Sequence, residues 1–307
     1  MAKLPSKGVV AGSTTKKPAP APLTNYEEPE SEAVPADGSD HETAEPGRSY
    51  ESDPSRIGEL VLTIPGAPRK PKRDLGRSMI HIYGEPKIGK TTFAADAPGT
   101  WFIATEQGQD WVTVREPTLI HSWSQFLSFC AFVQEEKPTR FADGTPIQTF
   151  AIDRIEGLFK MCEEYVRQQL GVESLDELGH GKGWARLTNE WERVMNKIRR
   201  WPFGLIAISH ARQREFKSKL TKVDRWEPDI GAAGLRWCLG AADLILYAHS
   251  LQQAELNAKG EVTGRIIERR VIRCHPSSSV IAGGRMADLL PDVMDLDYKT
   301  LRDLIEA

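Results

Sequence analysis

Cysteine is scarce in these 307 residues: Cys130, Cys162, Cys238 and Cys274 stand far apart and form no CxxC pair. That spacing argues against zinc and against a disulfide framework, and it fits a reducing compartment. A strong charge of one sign is also lacking. The formal net charge is −3, so any surface that binds nucleic acid has to be local. No apolar run approaches the roughly 20 residues that span a membrane. The opening stretch MAKLPSKGVVAG has no apolar core long enough for a signal peptide. These absences predict a soluble cytoplasmic protein with no membrane contact. No internal repeat is visible.

Residues 1–56 are poor in aromatics, with only Tyr26 and Tyr50, yet they hold eight of the twenty prolines and ten acidic residues against six basic. Such a stretch buries too little apolar area to offset its chain entropy, which predicts a disordered, acidic, Pro-rich tail. Residues 57–77 read as a basic linker or edge segment. VLTI there is compatible with a short edge strand, and Arg69, Lys70, Lys72 and Arg73 cluster just before the core. Residues 78–307 are the expected folded domain.

What is present from residue 78 onward is alternation. SMIHIY (78–83), TWFIAT (100–105), TFAID (149–153), GLIAIS (204–209) and AADLILYA (241–248) are short apolar runs suited to strands buried on both faces. Helical patterns separate most of them, at 124–136, 157–170 and 184–201. In the last, Trp184, Leu187, Trp191, Val194, Met195, Ile198 and Trp201 recur at helical spacing, which predicts an apolar face packed on a sheet. GRIIERRVIRC (264–274) reads as one or two further strands. The order implies an α/β domain with a mostly parallel sheet flanked by helices.

Between the first strand and the next helical stretch stands GEPKIGKTT. Gly84, Glu85, Pro86, Lys87, Ile88, Gly89, Lys90 and Thr91, with Thr92 following, match GxxxxGK followed by Ser or Thr, in the strand–loop–helix context the pattern requires. Glycines permit tight curvature, so successive N–H groups converge on phosphates at a helix N-terminus. Lys90 is expected to reach the β- and γ-phosphates of ATP, and the Thr91 hydroxyl to coordinate Mg2+. Asp153 ends a buried run, where a carboxylate fits a metal-linked role and also a plain helix cap. Glu106, just past the second run, is placed to polarise an attacking water or simply to sit in a turn. Ser209 and His210 end the fourth run, where they fit a role in sensing the γ-phosphate and equally that of plain turn residues.

Taken together, GEPKIGKTTFAADAP, WFIATEQG, TFAIDRIEGL, ESLDELGHGKGW and GLIAISHAR resemble, in that order, the RecA-like phage ATPases placed among the phage AAA-type P-loop proteins. Some members of that group are single-strand annealing recombinases. The resemblance spans roughly 78–297 and implies a RecA-type core, ATP with Mg2+, and a role in phage DNA recombination or replication inside the bacterial host. It implies that Glu106 activates water, that Asp153 is the Walker B aspartate, and that Ser209 and His210 end the sensor strand. It also gives GHGKGW, with Lys182, a functional reading beside that of a flexible helix start. One departure stands out. An Asp-Thr-Glu-Gly-Gly-like run is usual, and Ala104 and Gln107 replace its first and fourth residues, which bears on the rate of hydrolysis.

After the sensor strand, ARQREFKSKLTKVDRWEPDIGAAG carries Arg212, Arg214, Lys217, Lys219, Lys222 and Arg225 against only Glu215 and Asp224 before Trp226. A mobile basic loop with interleaved aromatics suits single-stranded DNA, the cations tracking phosphates and Phe216 and Trp226 stacking on bases. A solvated charged hairpin of no special role fits the same residues. Arg265, Arg269, Arg270 and Arg273 read either as the outer face of a strand or as a cationic finger for a neighbour's γ-phosphate in a homo-oligomer. Two rival functions use the same phosphate loop. One is a small-molecule kinase, and the other is a nucleotide-gated interaction module with little turnover.

Overall fold

The computed structural model describes residues 73–109, 111–217, 222–256 and 262–307. The expected tail (1–56) and all but the last few residues of the expected linker lie outside them, with VLTI, Arg69, Lys70 and Lys72. The apolar runs become strands much as the sequence predicts: β1 (Met79–Gly84), β2 (Thr100–Ala104), β4 (Thr149–Asp153), β5 (Gly204–Lys217) and β7 (Leu244–Leu256). Short strand β3 (Thr118–Leu119) extends one edge. The spatial order β3-β2-β4-β5-β1-β7 is parallel throughout. Every residue of β1 and β4 is buried, so their backbone groups must pair within the sheet.

Beyond β7 the sheet turns antiparallel, through β8 (Val262–Arg273) and β10 (Val293–Asp295). β6 (Lys222–Pro228) pairs with the outer half of β5, and β9 (Gly283–Gly284) with β7. Helices α1 (Lys90–Ala95), α2 (Trp123–Glu136), α3 (Ile155–Leu170), α4 (Lys182–Ile198), α5 (Ala232–Ala241) and α6 (Tyr298–Glu306) cover the sheet. This is the expected mixed α/β architecture. Among the described residues no helix is long and apolar enough to cross a membrane, and all four cysteines are free.

The period of two along a strand sorts side chains into two cores. Met79, Tyr83, Phe150, Ile152, Leu205 and Ala207 pack with residues of α2 to α5. Ile80, Ile82, Ala151, Ile206 and Ile208 pack with Phe93 of α1 and with Leu301 and Ile305 of α6. This parity decides below which strand-end residues can meet the phosphate loop.

On α4, Leu187, Trp191, Val194, Met195 and Ile198 are buried, as their spacing predicts. Trp184 is a correction. It stays 44% exposed, because its indole reaches back to donate to the Asp176 carboxylate at 2.7 Å instead of entering the core. Trp201 lies beyond the helix end and packs on Phe150 at 5.2 Å. The glycine-rich entry to α4 has a backbone explanation. His180 and Gly181 take φ of 48° and 70°, and a Cβ on Gly183 would lie 2.3 Å from the Leu175 carbonyl oxygen.

The second correction concerns β5, which does not stop at Ser209. It runs on to Lys217 because β6 supplies a partner, so the expected loop at 211–226 is a β-hairpin pairing Ala211 with Pro228 and Lys217 with Lys222. Its base is anchored to the sheet. The Tyr83 hydroxyl on β1 lies 2.6 Å from the Ile281 carbonyl oxygen and 3.1 Å from that of Trp226.

Candidate nucleotide site

β1 delivers the chain to Gly84, and α1 begins at Lys90. In the loop between them Gly89 takes φ of 116° and Lys87 takes 63°. Only glycine adopts the first without cost, so the curvature rests on Gly89. Gly84 has a different duty. A Cβ there would sit 2.1 Å from the carbonyl oxygen of Ala248, its register partner on β7. The first glycine of the motif therefore lets two strands close on each other where the loop leaves the sheet. Gly84→Ala is expected to lower stability by at least about 1–3 kcal/mol, the usual cost of overpacking. Thermal unfolding reads it, with Gly108→Ala as the control, since nothing lies within 4 Å of a Cβ there.

Lys90 is buried, and its ammonium donates to the carbonyls of Gly84 at 3.0 Å and Glu85 at 2.6 Å. Burial pushes its pKa down to about 8, against the opposing pull of Asp153 and Glu156. The Thr91 hydroxyl donates to Asp153 Oδ2 at 2.9 Å, and Gln109 Nε2 donates to the same oxygen at 3.2 Å. Burial raises the Asp153 pKa, and these two hydrogen bonds oppose the rise. A hydroxyl and a carboxylate side by side, next to a phosphate loop, are hard oxygen donors of the kind Mg2+ takes along with substrate phosphates. Thr91 and Asp153 would hold it there. Ile88, by contrast, is buried in the apolar core, so it contributes only backbone to the loop.

These groups face one cavity of about 640 Å³, within the range of small-molecule sites. Pro86, Lys87, Gly89 and Thr92 form one wall, and Glu106, Gln109, Trp111, Arg154, His210 and Arg270 close the others. Arg154 follows Asp153 through a cis peptide bond and organises the far wall. Its guanidinium pairs with Glu106, lies 3.3 Å from Glu156 Oε1 and donates to His210 Nδ1 at 2.5 Å. The guanidinium has only hydrogens to give, so Nδ1 is an acceptor. The 3.3 Å approach of Nδ1 to Glu156 is thus a shared attachment to Arg154 and not an ion pair. Glu156, itself buried, also accepts the His210 backbone N–H at 3.2 Å.

The family model described as AAA domain matches residues 77–286, more than half of the chain. The chain belongs to the AAA domain family. A curated relative, the SPbeta prophage-derived uncharacterized protein YorG of Bacillus subtilis (strain 168), is 26% identical over 182 residues. The match takes in 58% of this chain and 52% of YorG, so the chain spans about half the length of that relative. The AAA domain match, with the loop geometry above, makes this a P-loop, nucleotide-binding NTPase fold.

Within the AAA domain the two sensor positions separate. His210 shares the α1 side of the sheet with Ile208 and reaches the cavity. Ser209 has the opposite parity. Its hydroxyl is fully buried 2.9 Å from Nε2 of His81, an imidazole that burial holds down to about 4. Ser209 is therefore a correction, since a strand cannot turn consecutive side chains to one face.

The expected DNA-contacting residues also divide. Arg212 donates to Glu227 at 2.8 Å, and Arg214 lies 3.8 Å from the same carboxylate, which is buried. Trp226 is half-buried and stacks on Tyr247 at 6.1 Å, its backbone tied to Ser279 and Ile281. Its ring packs at the hairpin base, which corrects the reading of a ring free to stack on bases. Lys219 and the side chain of Lys217 lie outside the described residues.

Sequence reasoning passed over Gln109, Trp111, Arg154 and Glu156. Arg154 and Glu156 lie one and three residues after Asp153 in TFAIDRIEG, and a charged pair at the mouth of a buried strand was a usable signal. Trp111 is 97% exposed at the cavity rim, and nothing local in the sequence marks it.

Proposed function

We propose that this AAA domain is a Mg2+-dependent ATPase that works on single-stranded DNA, as a homo-oligomer, in phage recombination or replication, strand annealing included. The observation that carries the ATPase reading is the meeting of Lys90, the Thr91–Asp153 pair and Glu106 around one cavity. In this reading the loop N–H groups take the phosphates, and Lys90 exchanges its two carbonyl partners for the β- and γ-oxygens. Bound Mg2+ supplies positive charge to the phosphate chain. Glu106 accepts a proton from the attacking water as its oxygen bonds to the γ-phosphorus and the bridging oxygen leaves with ADP. Arg154 orients Glu106, and His210 lies at the head of the strand that becomes the hairpin.

Lys90 gives this reading a pH signature. In the free protein its ammonium loses a proton as pH rises through about 8, whereas bound phosphates favour the charged form. ATP affinity is therefore level below about pH 8 and falls by up to about tenfold per pH unit above it. Calorimetric titrations between about pH 7 and pH 9.5 read the slope, and Lys90→Ala removes it along with most of the affinity.

The DNA reading is supported by the continuity of β5 from the cavity into a basic hairpin, and by the likeness to a prophage-derived protein. Steady-state ATP hydrolysis with and without single-stranded DNA at low salt tests it. Stimulation that disappears when Lys217, Lys219 and Lys222 are replaced by Ala supports the reading, and turnover indifferent to DNA ends it. Arg212 and Arg214 stay in place in that variant, because removing them strands the buried Glu227 carboxylate. A second reading, the nucleotide-gated module, is favoured by the Glu106–Arg154 ion pair, which occupies the carboxylate that would otherwise meet the water. ATP binding without turnover selects it.

A further inference from the structure

Most arginines around the nucleotide cavity have a carboxylate to answer them. Arg154 pairs with Glu106 and Glu156, Arg269 with Asp295, and Arg212 with Glu227. At the start of β1, the opposite end from the loop, Arg199 and Arg285 share Asp243. Arg270 differs. Among the described residues no carboxylate lies within ion-pair distance of its guanidinium, and that guanidinium lines the cavity opposite the phosphate loop. A nitrogen of the group stands 3.7 Å from where a Cβ of Gly89 would be, at the tightest bend of the loop.

We propose that Arg270 binds the phosphate chain of the nucleotide in cis, clamping it against the loop from the β8 side. This rests on the nucleotide-site reading above. Its position is built and not incidental. The Arg270 carbonyl accepts the Leu296 N–H at 3.0 Å, and Leu296 Cδ2 in turn packs 3.3 Å from the same Gly89 position. β8 is paired on both sides there, with Ser250 of β7 opposite Arg270 and Asp295 of β10 opposite the next residue, Val271. Strand alternation then does the sorting. Arg269 turns outward to Asp295, and Arg270 turns to the loop. Glu268, two residues back on β8, and Glu85 line an adjoining pocket with Arg270 but lie beyond ion-pair distance, so the guanidinium stays open to an anion such as a polyphosphate. Its planar fork can hold two phosphate oxygens through parallel N–H bonds, a fixed geometry that a lysine's point charge does not impose. The four-arginine run in RIIERRVIR thus splits, and the member that meets the site belongs to its own chain and not to a neighbour.

The test is calorimetric titration of the full-length protein with Mg-ATP and with Mg-ADP, comparing wild type with Arg270→Ala, Arg270→Lys and Arg269→Ala. Arg270→Ala is expected to weaken ATP binding by about tenfold or more, the scale of one charge-assisted hydrogen bond. Arg270→Lys should recover part of the loss, and Arg269→Ala should bind within about twofold of wild type. Thermal unfolding of Arg270→Ala should match wild type, since among the described residues the side chain makes no hydrogen bond or ion pair. Wild-type affinity in Arg270→Ala overturns the proposal. So does a variant that binds normally, loses turnover and regains it on mixing with Lys90→Ala protein, because Arg270 would then serve a neighbour's site. A wild-type protein that binds neither nucleotide removes the nucleotide-site reading itself, and the clamp with it.

Discussion

Glu106→Gln lowers steady-state ATP turnover by about 10²–10⁴-fold, the usual contribution of a positioned general base, and leaves ATP affinity nearly unchanged. The reasoning is geometric. Glu106 lines the cavity beside Asp153 and Arg154, on the wall facing Lys90 and Thr91. Its carboxylate is held by Arg154, which also grips Glu156 and His210. Glutamine keeps the shape and can still accept from that guanidinium, so the far wall survives the change. What it cannot do is take a proton from water. An interaction that matters only in the transition state shows as lost turnover at constant binding. Phosphate release and equilibrium binding, measured on the same preparations, separate the two. If the variant and the wild type turn over alike, Glu106 is not the base, and the gated module becomes the better account.

Trp191→Ala is expected to cost about 3–5 kcal/mol of folding stability, a large share of the roughly 5–15 kcal/mol that holds a domain together. Trp191 is completely buried, stacked on Trp123 at 5.7 Å and met edge-on by Phe159 at 5.1 Å and Trp237 at 6.2 Å. Those partners come from α2, α3 and α5, so one truncation opens a cavity where four helices converge. Among the described residues its indole nitrogen has no hydrogen-bond partner. Trp191→Phe therefore removes an unsatisfied donor together with part of the ring, and it should cost less than alanine. Trp184→Ala is the contrast. That ring is 44% exposed with one hydrogen bond to Asp176, and its loss should cost about 1 kcal/mol or less. Denaturant midpoints rank the three, and equal midpoints for the two alanine variants would refute this account of the core.

The parallel core was legible because each of its strands is short, apolar and bounded by polar residues, which leaves a doubly buried strand as the economical reading. The phosphate loop was legible because its residue types and neighbours are dictated by chemistry over a few consecutive positions. Asp153 was legible as the polar end of TFAID. What escaped depends on partners far away in the chain. β5 passes Ser209 because β6 exists, and no property of GLIAISHAR alone announces that. Ser209 looked equivalent to His210 only while parity was ignored. Counting in twos from Leu205 places the serine with Ala207, on the side away from the loop. The Arg154 network joins residues from two stretches and from the end of β5, and only the fold brings them together. The basic stretch 212–225 promised free cations, but cross-strand pairing assigned Arg212 to Glu227.

One hydroxyl fixes where motion is possible. Tyr83 is the residue just before Gly84, and its bonds to the carbonyls of Trp226 and Ile281 fasten the foot of the hairpin to the strand that carries the phosphate loop. Trp226 is further pinned by Ser279 and by the Tyr247 ring. Foot and loop are therefore fastened through a single side chain, and a hairpin displacement that kept these bonds would pivot past the rung that pairs Gln213 with Trp226. The rungs that lie beyond it run from Arg214 and Arg225 to Lys217 and Lys222.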